Sequence, residues 1–255
     1  MRRHRSPLLA LLLAAALAGC TAAPAPQTAP PPAAPAAAEA AAPMSPGLHW
    51  SRTSAEHRAL FLQTYRQAAE ALEELVAGRE PFTWAVSIDA DETLIDNSPY
   101  QREREAAGLG YTEESWTAWV MRREAEALPG AREFLETVRR LGGKVAVVTN
   151  RGDEVCGPTE DNLRSLRLAY DVVLCKPVGG PSDKAPRWQA VEAGEASKSL
   201  PPLDVVMWVG DNIHDFPGGS QALAEGSEDA LSRFGRDLFV LPNVMYGSWQ
   251  RNPPR

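Results

Sequence analysis

Apolar residues recur with two different periods along this chain, and the alternation lays out its elements. Over residues 53–77, Phe61, Tyr65, Ala68, Leu72 and Leu75 return every three or four positions, as on one face of a helix. Thr53 with Glu56 reads as a capping box opening that helix, and Gly78 stops it. Thr83 to Ile88 is then a continuous apolar run of strand length. Similar runs follow at Lys144–Val148, Asp171–Leu174, Asp204–Val209 and Asp237–Leu241. Helical spacing returns between them. Thr112, followed by Glu113 and Glu114, opens a helix carrying Trp116, Trp119 and Val120 on one face. Pro129-Gly130 opens another with Phe134, Leu135, Val138 and Leu141 inward, ended by Gly142-Gly143. Short apolar strands alternating with helices predict an α/β fold: a parallel sheet with helices on both faces.

In such sheets ligands bind at the carboxyl ends of the strands. That rule selects Asp89, then Thr149-Asn150-Arg151, then Cys175-Lys176 shortly before Lys184, then Gly210-Asp211-Asn212. Each place carries polar or charged residues suited to phosphate or a metal. Asp89 and Asp91 stand two apart just past a strand, so a turn there lets both face one cleft. A carboxylate can attack phosphorus and form an aspartyl-phosphate while a second handles protons. Taken alone, Asp-x-Asp-x-Thr also describes a solvated turn. Asp211 and Asp215 bring two more acids to the end of another strand. Carboxylates gathered in one place repel unless a cation joins them. Hard oxygen donors spread over separate strands suit Mg²⁺ better than Ca²⁺ in a single loop. Thr149 and Asn150 offer a hydroxyl and an amide to a phosphoryl group. Lys184 opens a helix with Ser182 as its expected cap, where ammonium and helix dipole both favour phosphate. Lys176 competes for the same role.

The first 47 residues differ in kind. Arg2, Arg3 and Arg5 precede an apolar run, Leu8 to Leu17, of signal-peptide length. Residues 1–19 end in Leu17-Ala18-Gly19 before Cys20, the pattern of a lipobox with Cys20 as the lipidated N-terminus. Residues 20–47 are otherwise Ala- and Pro-rich, a stiff extended tether. A lipid-anchored domain of the bacterial cell envelope is expected, on the outer membrane, with residues 48–255 as the folded part and a helical insertion at about 97–128. Loss of residues 1–19 takes the formal charge from −7 to −10. So acidic a surface argues against a nucleic-acid partner. An anionic substrate then needs a locally positive site. Cys156 and Cys175 could pair or stay free; spacing does not decide it.

Together, Asp89-Ala-Asp91-Glu-Thr93, Thr149, Lys184 and Gly210-Asp211-Asn212-x-x-Asp215 resemble the haloacid dehalogenase superfamily of phosphohydrolases. The longer runs Asp91–Tyr100, Val148–Arg151, Val209–Asn212 and Leu241–Trp249 resemble its class C acid phosphatases. Within these they are most similar to the outer-membrane lipoprotein e type, which includes 5′-nucleotidases. The resemblance implies a Rossmannoid sheet with a small helical cap and an N-terminal helical subdomain. It implies Asp89 as nucleophile and Mg²⁺ ligand, and Asp91 as general acid and then base, its backbone carbonyl on the metal. Thr149, Asn150 and Lys184 would hold the phosphoryl oxygens, Asp211 would bind Mg²⁺, and Asp215 would support the metal shell. Lys184 is favoured over Lys176 because Lys184-Ala-Pro-Arg187 resembles the family's Lys-x-x-Arg. Trp116 and Tyr246 match aromatic positions that sandwich a nucleoside base; ordinary packing is the other reading of each. His214 stands where relatives usually carry another aspartate. The chain ends soon after Trp249, short of a region that helps dimer contacts in relatives, so a homodimer is left open.

The expected activity is a Mg²⁺-dependent acid phosphatase acting on small phosphomonoesters, nucleoside 5′-monophosphates among them. The alternative is a surface lipoprotein that keeps the fold to bind a ligand, nucleotide or haem. Pure binding has no use for a nucleophile, so the four acids with Lys184 favour the enzyme.

Overall fold

A computed structural model of the chain describes residues 43–254. The segment 1–19, Cys20 and all but the end of the 20–47 tether lie outside the described residues. Helices α1 (Pro46–Thr53) and α2 (Ala55–Leu75) precede strand β1 (Trp84–Ile88). Strand β2 (Ile95–Asp96), helices α3 (Ser98–Ala106) and α4 (Glu113–Arg122), and strand β3 (Glu126–Ala127) follow. Next come α5 (Ala131–Arg140), β4 (Lys144–Gly152), α6 (Cys156–Ser165) and β5 (Val172–Lys176). The last elements are α7 (Ala185–Glu192), β6 (Asp204–Gly210) and β7 (Leu238–Val240).

The five apolar runs form one sheet in the order β5-β4-β1-β6-β7, parallel at every junction. Successive side chains point to opposite faces. Trp84, Val86 and Ile88 pack with Phe61, Tyr65 and Leu72 of α2 and Phe134 of α5. Ala85, Ala146 and Val148 pack with Trp188 and Val191 of α7. Helices therefore cover both faces, as the alternation of strands and helices predicts. Phe61, Tyr65, Ala68 and Leu72 of the stripe read from the sequence are buried by α2, with the Tyr65 and Phe134 rings 5.4 Å apart, whereas Leu75 at the helix end is exposed. Each such side chain taken fully from water contributes about 1.5–3 kcal/mol.

The start of α2 differs from expectation. Ser54, not Thr53, is the N-cap, its Oγ accepting from the His57 N–H at 3.0 Å. Thr53 is unavailable because it ends α1, where its hydroxyl donates to the His49 carbonyl at 2.7 Å. The turn from α5 to β4 needs both of its glycines. Gly142 adopts φ 85°, and a Cβ on Gly143 would stand 2.2 Å from the Trp84 ring. Cys156, opening α6, and Cys175, on β5, are joined in a disulfide with Cα atoms 5.9 Å apart.

The chain lays down β1, β4 and β5 in one direction, then returns to place β6 on the other side of β1. This reversal opens a crevice at the carboxyl end of β1. Helices α3 and α4 leave the chain just beyond that point, closed off by the antiparallel pairing of Ile95 with Ala127 and Asp96 with Glu126.

Candidate active site

Asp89 is the first residue past β1. Its N–H still donates to the Val209 carbonyl at 2.9 Å, which fixes it level with the end of β6. The chain then folds tightly: the Leu94 and Ile95 N–H groups both donate to the Ala90 carbonyl, and Glu92 takes φ 52°. The Tyr65 hydroxyl donates to the Thr93 carbonyl at 2.8 Å and ties α2 to this loop. From β6, Asp211 and Asp215 arrive through a short 3-10 turn. The Asp215 carboxylate accepts the Asn212 N–H at 2.9 Å, and Asn212 Oδ1 accepts the His214 N–H at 3.2 Å. Gly210 is required here, since a Cβ on it would stand 2.4 Å from the Asp215 side chain.

Asp89, Asp211 and Asp215 each offer an oxygen within 4.8 Å of the others. Lys184 Nζ enters among them, 2.5 Å from Asp89 Oδ1 and 2.6 Å from Asp215 Oδ1. Burial pushes the Asp89 carboxyl up to about 7, with Lys184 opposing the rise and Asp215 and Asp91 adding to it. Burial, then Asp215 and Asp89, hold Asp211 well above the usual carboxylate range. Burial works against the Lys184 charge, but Asp215 and Asp89 outweigh it and its pKa rises. One ammonium among three carboxylates leaves two negative charges uncompensated. That is the charge of a divalent cation, and all-oxygen donors match the preference of Mg²⁺. The donor set therefore fits the metal expected from the sequence.

Lys184 stands at the N-cap position of α7, and Ser182 does not cap the helix. Instead Asp183 Oδ1 accepts the Ala185 N–H at 3.0 Å. Pro186 lies in the first turn, where its missing N–H costs nothing. Lys176 lies in β5 opposite Gly152 and does not line the cleft, whereas Lys184 does. Thr149 is wholly buried within β4 and does not line the cleft, its hydroxyl accepting the Arg151 N–H at 3.1 Å, and Asn150 beside it is exposed. Arg187, one turn beyond Lys184, donates to the Thr149 carbonyl and, at 2.7 Å, to Asn150 Oδ1. One helix thereby fixes the lysine and the end of β4 together.

A cleft of about 1440 Å³ opens over these groups. Asp89, Asp91, Asn150, Lys184, Asp211 and Asp215 line it, and Trp116 and Tyr246 stand on it as well. Trp116 also packs edge-on to Tyr100 at 5.2 Å, so it serves the fold of the insertion as well as the cleft wall. His214 lines the cleft but is exposed and outside the three-acid group. Sequence reasoning gave no role to Asn97, Asn243 or Tyr111, and marked Arg151 only as a charged residue past a strand end. Arg151 ion-pairs with Asp91 at 2.7 Å. Asn243 donates to Asp211 Oδ2 at 2.8 Å, while its Oδ1 accepts the Met245 and Tyr246 N–H groups. Tyr111 joins Trp116 on the cleft wall. Arg151 and Asn243 lay inside the matched runs Val148–Arg151 and Leu241–Trp249, which was the available signal.

The family model of the HAD superfamily, subfamily IIIB (acid phosphatase), matches residues 13–249. The structure of the class C acid phosphatase from Bacillus anthracis is similar at a TM-score of 0.70 and 29% identity, covering 80% of this chain and 85% of that one. A second structure of that enzyme, with tungstate bound, gives the same TM-score of 0.70, identity of 29% and coverage of 80% and 85%.

Proposed function

The chain belongs to the acid phosphatases of HAD subfamily IIIB, and on that premise we propose a Mg²⁺-dependent enzyme that works through an aspartyl-phosphate on Asp89 and accepts nucleoside 5′-monophosphates. It is a class C acid phosphatase, a hydrolase of phosphoric monoesters. The observation that carries the mechanistic reading is the meeting of buried Asp89, Lys184 and Asp215 with half-buried Asp211, at the ends of β1 and β6 and the start of α7. A buried nucleophile beside a buried ammonium suits attack on a dianion, because the positive charge is in place before substrate arrives.

Lys184, the Thr149 hydroxyl and the Asn150 amide hold the phosphoryl oxygens. An Asp89 oxygen attacks phosphorus. The ester P–O bond breaks, and its electron pair stays on the leaving oxygen, which takes a proton from Asp91. Asp91, now a carboxylate, accepts a proton from the water that attacks the aspartyl-phosphate. Phosphate leaves and Asp89 is restored. Asp89, Asp211, the Asp91 carbonyl and, as support, Asp215 would hold the Mg²⁺. When bound, the ion supplies charge against the phosphoryl oxygens. Trp116 and Tyr246 stand on the same cleft and supply two aromatic faces for a nucleoside base.

Hydrolysis of p-nitrophenyl phosphate by the purified chain, with Mg²⁺ and with EDTA, tests the reading. Turnover should need the metal, and Asp89→Asn should remove activity while the far-UV spectrum stays native. Full activity in that variant would refute the nucleophile. Trp116→Ala should raise KM for AMP by about tenfold or more, the scale of one lost base stack, with a smaller change for p-nitrophenyl phosphate. Equal losses would leave Trp116 with a packing role alone.

A further inference from the structure

Asp91 is held in an unusually one-sided way. Its Oδ1 accepts from Asn97 Nδ2 at 2.8 Å, from Arg151 Nε at 2.9 Å and from Arg151 Nη2 at 2.7 Å. Among the described residues no hydrogen bond reaches Oδ2. Asp91 lines the cleft, so one oxygen is clamped and the other is left for the substrate.

The clamp is itself locked. Asn97 is fully buried. Its Oδ1 accepts from the Trp119 indole Nε1 at 2.8 Å and from Arg151 Nη2 at 3.1 Å. An indole N–H can only donate, so it settles which end of the amide faces which way. The Asn97 NH₂ must then point at Asp91, and it also reaches Glu92 Oε2 at 3.3 Å. The buried Glu92 carboxylate takes the Asn97 backbone N–H at 2.7 Å as well. Arg151, only 2% exposed, is pinned from behind by donating to Thr159 Oγ1 at 3.2 Å. Trp119 belongs to α4, within the helical excursion. A hydrogen-bond chain thus runs from the excursion to the Asp91 carboxyl.

We infer that Arg151 and Asn97 are positioning residues that hold Asp91 with Oδ2 toward the leaving oxygen, and that Trp119 sets Asn97 for this purpose. The inference rests on the proposed role of Asp91 as proton donor. In the step concerned, the P–O bond to the leaving group breaks as Asp89 attacks. The electron pair goes to the leaving oxygen, and the proton passes to it from Asp91 Oδ2. A misaimed Asp91 should then harm esters whose leaving group needs a proton far more than esters whose leaving group departs as an anion.

The test compares kcat/KM for ethyl phosphate and p-nitrophenyl phosphate in the full chain. Ethoxide is a poor leaving group without a proton, whereas nitrophenolate departs unprotonated. Arg151→Met should shift the ratio of the two values toward the nitrophenyl ester by about 10²-fold, the lower end of what a general acid contributes. Trp119→Phe keeps an aromatic ring and removes only the donor to Asn97. It should shift the ratio the same way by about three- to tenfold, and it preserves the test if Arg151→Met does not fold. Equal losses on both esters in Trp119→Phe, or in a folded Arg151→Met, would overturn the inference, because a purely structural role lowers both alike. Asp89→Asn is the separate control. Retained activity there would sink the aspartyl-phosphate reading, whereas loss on both esters together with an unchanged ratio in the other variants would sink the clamp alone.

Discussion

The Asp89 carboxyl is lifted from 3.8 to about 7, first of all by burial. A carboxyl raised on folding contributes stability that is full below its unfolded value and is lost as the pH climbs through 7. Melting in EDTA should therefore show Asp89→Asn gaining on the native chain between pH 4.5 and 8, because the amide does not ionise. Parallel pH slopes for the two proteins would mean that Asp89 is already ionised at pH 4.5. Mg²⁺ should raise Tm more at pH 7.5 than at pH 5, since at the lower pH it must displace protons from the acids. Gly210→Ala should cost most of the activity, because the new methyl would meet the Asp215 side chain. Titration of activity with Mg²⁺ would show the weakened site. The acids were legible in the sequence because they follow strand ends, whereas Lys184, at the start of α7, was told from Lys176 only by the resemblance of Lys184-Ala-Pro-Arg187 to the family's Lys-x-x-Arg. The Asp91–Arg151 pair was not, because its partners stand 60 positions apart and only the ladder between β1 and β4 brings them level.

The five sheet strands were legible because parallel strands covered on both faces read as unbroken apolar runs. The two-residue strands β2 and β3 were not, being too short for any period to register. Helix α1 also escaped, since Pro46-Gly47 follows an Ala- and Pro-rich stretch that reads as tether. The pairing of Cys156 with Cys175 could only come from the placement of α6 against β5. Their bond closes a loop over a sequence separation of 19. Replacing both by Ser should cost about 3 kcal/mol by the chain-entropy account. For a domain of this size that is a Tm lower by about 6–12 °C. A Tm unchanged by reductant would show that the bond contributes nothing. Gly143→Ala should destabilise by about 1–3 kcal/mol through overpacking against Trp84, readable by urea denaturation with the m-value unchanged.

At the scale of the whole molecule, the chain carries a formal charge of −7, yet the floor of its cleft holds a buried lysine among the acids, with two arginines close by. We propose that the folded part, which begins with α1 at Pro46, is the enzyme and that Cys20 anchors it to the cell envelope through the Ala- and Pro-rich tether before it. Cys20→Ser should then move phosphatase activity from the membrane fraction to the soluble one without changing kcat. Activity that stays with the membranes would remove the anchor from the account. The cleft over the floor, at about 1440 Å³, is larger than a drug-sized ligand needs. Its depth and its rim are built by different parts of the chain. Strand ends β1, β4 and β6, with α7, supply the charged and polar groups of the floor, and each is tied to its neighbours. The rim comes from Tyr111, Trp116 and the loop around Tyr246. The two can therefore diverge separately. Drift in the rim can recruit new esters while the reaction below stays intact, so descendants of this scaffold should differ in what they accept long before they differ in how they cleave it.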